Sequence, residues 1–153
     1  MKKLFIVMCM MLVSATSFAQ KGQVEVGIHG GFILDSPNNL GIGANVGYML
    51  MSNVRGVAEF NYFLKKDGIS YWNLEGNVEY LFKLGDEFTV YPLVGLDFLG
   101  QTGDFGSDTR LGLNLGAGFE YNISSNLRLK AELNYKTQGN GWSLLKAGVV
   151  IPF

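Results

Sequence analysis

From about residue 23 to the end, apolar and polar residues alternate with a period of two, in eight segments of about ten residues separated by turn-forming clusters. A period of two puts successive side chains on opposite faces of an extended chain, so each segment is expected to be a strand. The segments run at about 23 to 32, 42 to 51, 57 to 64, 71 to 82, 88 to 99, 110 to 122, 127 to 136 and 142 to 153. Connections alternate in kind. The second, fourth and sixth are compact, around Ser52-Asn53, Leu84-Gly85-Asp86 and Ser124-Ser125. Leu34 to Gly41 and Gly100 to Asp108 are longer, while Lys66-Asp67-Gly68 and Gly139-Asn140-Gly141 read as short hairpins. No linker, low-complexity tract or long repeat interrupts the series.

The two faces differ chemically through all eight segments. One carries Val24, Val26, Ile28, Ile42, Ala44, Val46, Tyr48, Leu50, Phe60, Tyr62, Trp72, Leu74, Val78 and Tyr80, then Val90, Val94, Leu96, Leu111, Leu113, Leu115, Phe119 and Tyr121. It ends with Leu127, Leu129, Ala131, Leu133, Tyr135, Leu145, Ala147, Val149, Ile151 and Phe153, and no charged residue falls on it. The other face holds Glu25, His29, Asn45, Glu59, Asn61, Asn73, Glu75, Asn77, Glu79, Asp97, Arg110, Asn114, Glu120, Arg128, Lys130, Glu132, Asn134 and Lys146.

Alternation alone leaves open which face is inside, since a soluble lipocalin-like barrel would bury the apolar one. Three features put the polar face inside. It is also the glycine face, with Gly27, Gly31, Gly43, Gly47, Gly95, Gly112, Gly116, Gly118 and Gly148, as a crowded lumen requires and a solvated exterior does not. Aromatics on the apolar face gather near strand ends: Tyr48, Tyr80, Phe82, Phe88, Phe119, Tyr121 and Phe153 at the short-turn end, Phe32, Tyr62, Trp72, Phe98 and Tyr135 at the other. Two such girdles mark the two interfaces of a membrane. The strand count is even, as a bacterial barrel needs if both ends are to lie on one side. The expected fold is all-β: an eight-stranded antiparallel up-and-down transmembrane β-barrel.

The N-terminus reads as an export signal, with Lys2 and Lys3, the apolar run Leu4 to Val13, and Ser17-Phe18-Ala19 as a cleavage site. Residues 1–19 are therefore assigned to a signal peptide and 20–153 to the barrel domain. The run of ten apolar residues is too short for a spanning helix, which needs about 20. Cys9 lies within it, so the mature chain is expected to hold no cysteine, disulfide or lipid anchor. Losing Lys2 and Lys3 reduces the twelve Lys and Arg to ten against thirteen acids, a balance of minus three with no basic block, which makes nucleic acid an unfitting partner. All 21 glycines fall after the signal.

The export signal, the alternating strands, the compact Asn122-Ile123-Ser124-Ser125-Asn126-Leu127 turn and the terminal Val149-Val150-Ile151-Pro152-Phe153 resemble the outer-membrane protein β-barrel domain family, which includes small OmpA/OmpX-type barrels. The resemblance covers the whole mature chain. It implies a Gram-negative-type outer-membrane location, contact with outer-membrane lipids, and transient partnership with the export apparatus and the barrel assembly machinery. Val149, Ile151 and Phe153 resemble that machinery's signal; Pro152 departs from it by withdrawing a ladder donor. The part that binds peptidoglycan in longer relatives has no counterpart in this sequence. A monomer is expected.

An eight-stranded lumen is only wide enough for side chains, so a packed polar core is expected and not a pore. Seven acids, Glu25, Glu59, Glu75, Glu79, Asp97, Glu120 and Glu132, would pair with Arg110, Arg128, Lys130, Lys146 and the rim residue Lys136, the inward residues of the sixth and seventh strands forming a mixed-charge ladder. No enzyme is read here. The single histidine, His29, faces the lumen while Ser143 belongs to the lipid face, so the base-activated hydroxyl of nucleophilic catalysis is missing. Met49 and Met51 beside Phe63 and Leu81 read as packing, and no metal site or cofactor is implied. Three functional classes follow: a structural, envelope-integrity barrel; a narrow porin-like conduit or binding site lined by Met49, Met51, Phe63, Leu81, Leu93 and Leu99; and a surface adhesin acting through the two longer loops. The first is favoured by the charge-filled lumen and the modest loops.

Overall fold

The computed structural model of the chain describes residues 3, 23–36, 38–103 and 106–153; apart from Lys3, the expected export signal lies outside the described residues. Those residues form nine strands: β1 (Val24–Ile33), β2 (Asn39–Met49), β3 (Val54–Lys66), β4 (Ile69–Tyr80), β5 (Phe82–Leu84), β6 (Phe88–Gly103), β7 (Gly106–Ser124), β8 (Leu127–Lys136) and β9 (Trp142–Pro152). β4 and β5 are one stave. Leu81 interrupts the ladder between them, its N–H donating to the Asn53 carbonyl at 2.7 Å, while both pieces pair with β6. Tyr80 and Phe82 stay outward and Leu81 inward across the break, so the alternation is unbroken.

Every pairing is antiparallel and between sequence neighbours, except that β1 also pairs with β9, from Glu25↔Pro152 to Ile33↔Leu144. That last pairing closes the sheet into a barrel of eight staves. Phe153 extends the seam, its N–H donating to the Val24 carbonyl at 2.8 Å, beyond the donor that Pro152 lacks.

The β3–β4 hairpin shows how the turns fix register. Asp67 and Gly68 both have positive φ, 54° and 82°, the two-residue geometry whose twist matches its strands, and Lys66 faces Ile69 across it. Two expectations about the connections change. β2 begins at Asn39, which shortens the Leu34 to Gly41 loop, and the Gly100 to Asp108 segment is mostly paired strand, with Gly100↔Thr109 and Thr102↔Ser107. β6 and β7 have 16 and 19 residues against 10 for β8, so this hairpin runs past β8, whose pairing with β7 begins at Asn114↔Lys136, while β4 stays paired with β6 as far as Ser70↔Thr102. Its outer part carries Gln101, Thr102, Ser107 and Asp108, polar on both faces, and so shows no alternation to read.

The apolar face points outward. Ile28, Ile42, Leu74, Val94, Leu111, Leu113, Leu133 and Leu145 are all exposed, whereas Asn45, Asn61, Asn73, Asn77, Asn114 and Asn134 are buried. Val24 differs, buried at the first position of β1. Both girdles form: Phe88 lies 5.4 Å from Phe119 and 4.9 Å from Tyr121 at the turn end, with Tyr80 4.8 Å from Phe82, and Phe60 stacks on Trp72 at 6.2 Å toward the loop end. An exterior of this kind is stable only in hydrocarbon, where a closed ladder pairs the backbone groups of neighbouring staves with one another.

Neighbouring residues of β7 test this inside-out order. Leu113→Arg, on the lipid side, is expected to destabilise the barrel by about 2 to 4 kcal/mol if it lies near the midplane, whereas Asn114→Arg is limited by crowding in the lumen. Urea unfolding in lipid vesicles measures both, and a negligible effect at Leu113 would contradict the orientation.

Candidate functional site

The lumen is the chemically distinctive region. Strand parity brings Arg55, Val57, Glu59, Asn61 and Phe63 of β3 inward together, and Arg55 becomes its electrostatic centre. Its side chain is fully buried. Nη1 lies 2.6 Å from Glu25, Nε donates to Glu79 at 2.6 Å, and Nη2 donates to Glu120 at 2.6 Å. Arg128 bridges two of the same acids, donating to Glu25 at 2.8 Å and Glu120 at 3.1 Å. Planar guanidinium groups suit this sharing because each presents several donors in a fixed fork.

Lys130 continues the network, 3.1 Å from Glu79 and 2.9 Å from Glu132. Tyr91 donates its hydroxyl proton to Glu132 at 2.7 Å, and its ring lies 5.3 Å from the Arg55 guanidinium carbon and 5.2 Å from Lys130 Nζ. The ring fits because it lies opposite Gly118, where a Cβ would overlap it. Further toward the loop end, Lys146 bonds Glu59 and lies 3.0 Å from Glu132, and Lys136 bonds Glu75 and lies 3.9 Å from Asp97. Asparagine amides take up remaining carboxylate oxygens. Asn73 and Asn114 donate to Glu75 at 2.8 and 3.0 Å, Asn61 to Glu59 at 2.9 Å and Asn134 to Glu132 at 3.2 Å.

Apolar side chains border the charges at both ends. Toward the turn end, Leu81, Tyr91 and Leu93 pack together with Met49 against them. Toward the loop end, Phe63 and Leu144 are buried around Gly31, and Trp142 meets Phe63 edge-on at 6.1 Å with Lys136 Nζ 5.8 Å from its ring.

Most of the expected lumenal charges meet here: Glu25, Glu59, Glu75, Glu79, Asp97, Glu120, Arg128, Lys130, Glu132 and Lys146 are all in the network. Arg110 is not. Among the described residues it pairs only with Asp108, at 3.1 Å, and its side chain is 59% exposed, because β7 has already risen beyond the packed core at that position. Lys136, expected at the rim, is instead fully buried. Met51 lies exposed in the β2–β3 turn and lines nothing, whereas Phe63, Leu81 and Leu93 are buried.

Arg55 and Tyr91 escape a reading based on alternation. Arg55 stands one residue into β3, where the neighbouring Val57 and Ala58 blur the polar series, and Tyr91 is an aromatic on a face otherwise read by its charges. Extending β3 back to Val54 by parity would have found the first. His29 is inward, with Nε2 2.5 Å from Asn61 and 3.5 Å from Glu59 and Nδ1 3.3 Å from Asn45. Its register partner on β9 is Gly148, so Ser143 lies well along the strand; the Ser143 N–H binds the Asp35 carboxylate.

A closed eight-stave barrel with an apolar exterior, two aromatic girdles and an ion-paired interior defines a small outer-membrane β-barrel. The chain belongs to the outer membrane protein beta-barrel domain family, whose model matches residues 5–150. It is similar in fold to the N-terminal β-barrel domain of Pseudomonas aeruginosa OprF, at 22% identity over 87% of this chain and 100% of that one, with a TM-score of 0.73. Neisserial surface protein A is similar at 18% identity over 86% and 97%, TM-score 0.72. Ail, the attachment invasion locus protein of Yersinia pestis, is similar at 15% over 86% and 97%, TM-score 0.60. No curated protein matches the sequence.

Arg55 and Arg110 give opposite expectations. Arg55→Met takes one cation from each of three buried acids, Glu25, Glu79 and Glu120, and is expected to cost about 3 to 5 kcal/mol, while Arg110→Met removes a solvent-exposed pair worth about 0 to 1 kcal/mol. Urea midpoints in the same vesicles compare them; equal losses would contradict the central place of Arg55.

Proposed function

We propose that the protein is exported, loses residues 1–19, and serves in the outer membrane as a structural, envelope-integrity barrel whose lumen is a plug. The observation that carries this reading is the buried network around Arg55, bordered at both ends by apolar side chains. An aqueous conduit needs a continuous column of water. Here, the guanidinium and ammonium groups of β3, β8 and β9 span to acids on other staves and occupy the space such a column would use. Of the side chains expected to line a conduit, Leu81 and Leu93 are packed against Tyr91, with Met49 beside them. Lipids of the membrane are the standing partner, and the export apparatus and barrel assembly machinery the transient ones.

Single-channel recording in a planar bilayer tests the plug. The parent protein is expected to show negligible conductance, and the double variant Arg128→Gln with Lys130→Gln small cation-selective openings, since Glu25, Glu79, Glu120 and Glu132 would each lose a cation. Stable conduction by the parent would replace the plug with a conduit.

The assembly partner has its own test. Deleting Phe153 removes an exposed girdle aromatic and the last residue of the signal formed by Val149, Ile151 and Phe153. Insertion in cells is expected to slow while the spectrum of detergent-folded protein stays the same; normal surface levels of the truncated protein would argue against the signal.

A further inference from the structure

Short turns of outer-membrane barrels face the periplasm and the opposite connections face outside, so the loop-end mouth is the external one. Beyond Trp142 it opens into a cleft of about 170 Å³ lined by Tyr71, Gln101, Asp108, Arg110, Gln138 and Trp142 among others. We propose that this cleft binds one neutral pyranose unit, a sugar presented free or as the terminal residue of a glycan.

Four observations converge on that chemistry. The first is unmet hydrogen bonding. Gln138, 7% exposed, uses its Nε2 to donate to the Asp97 carbonyl at 2.9 Å and the Asp97 carboxylate at 2.7 Å, which leaves its Oε1 without a partner. Trp142 Nε1 is likewise buried and unpartnered among the described residues. A buried polar group left unmet in this way is destabilising, and a ligand that meets it recovers that loss. A hydroxyl accepts and donates at once, so the hydroxyls of a sugar suit both an indole proton and an amide oxygen.

Second, Tyr71 and Trp142 bring aromatic surface to the same small space. The C–H face of a pyranose is apolar with a weak positive edge, and it packs on the electron-rich face of such a ring. The third observation is charge. Arg110 and Asp108 neutralise one another across 3.1 Å at the entrance, so this pair brings no net charge to the cleft and instead offers a donor and an acceptor to further hydroxyls. Size is the fourth: the cleft holds the volume of roughly five or six waters, the scale of a single sugar ring and far below that of a lipid or oligosaccharide. The site shares its floor with the plug, through Trp142 beside Lys136 and the Gln138 amide on Asp97, and Gln138 is its wall: a Cβ at Gly112 would lie 2.6 Å from the Gln138 amide carbon, so the glycine there is what lets this side chain lie flat.

The test is calorimetric titration of the purified full-length barrel in a zwitterionic detergent free of sugar headgroups. Glucose, galactose and N-acetylglucosamine are the probes, each with its methyl glycoside and a sulfated form. At least one neutral sugar is expected to bind saturably. Tyr71→Ala and Gln101→Ala should each weaken it roughly threefold to tenfold, the worth of one polar contact, with unchanged urea unfolding. In a Trp72→Phe background, Trp142 is the sole tryptophan, and its emission should shift on binding. Equal affinity for the methyl glycoside supports a glycan terminus, and preference for the reducing sugar supports a free solute. No saturable binding by any neutral probe, a preference for the sulfated form, or affinities unaltered in both variants would overturn the proposal. Should Tyr71→Ala fail to fold, Gln101→Ala decides alone.

Discussion

The structure turns on one constraint: eight closed staves leave no room for water to solvate the charges that the strands send inward. Each buried ion must find its counter-ion on another stave, because an unpaired charge in that interior would cost several kcal/mol. Arg55 meets this constraint most fully. It holds Glu25 of β1, Glu79 of β4 and Glu120 of β7 together, elements far apart in sequence. In a soluble domain the hydrophobic core would specify how the elements meet. Here the lipid side is uniformly apolar, and it is the ion pairs that distinguish one arrangement of staves from another.

Glycine and tyrosine solve the matching steric problem. A lumen this narrow cannot hold a long side chain at every inward position, and Tyr91 has space only because its register partner is Gly118. That placement sets the phenol on Glu132 and the ring face against two cations. An aromatic inside a polar lumen thus works by its edge and its face together.

The two ends differ for a related reason. At the turn end, Leu81, Tyr91 and Leu93 cover the charges with apolar surface. At the loop end the cover is Trp142, Phe63 and Leu144, and above it β7 rises clear of β8, carrying Asp108 and Arg110 into an aqueous mouth. The charges of that pair lie on the lumenal parity of β7, yet height along the barrel, and not parity, decides that they meet water.

Sequence alone determined the strands, their number, the two faces and the membrane-facing side, because a period of two is a local property, and the glycines on the polar face and the aromatics at both ends of the apolar one tell a lipid-facing surface from a buried core. Most of the inward acids and bases were legible for the same reason. What it could not supply is which acid meets which base. Partners such as Arg55 and Glu120, or Arg128 and Glu25, are set by the stagger of a closed sheet, which sums the register of every hairpin around the barrel. The same stagger buried Lys136 and exposed Arg110, one expected at the rim and the other in the lumen. Parity is written residue by residue, whereas height along the barrel exists only once β9 has closed on β1.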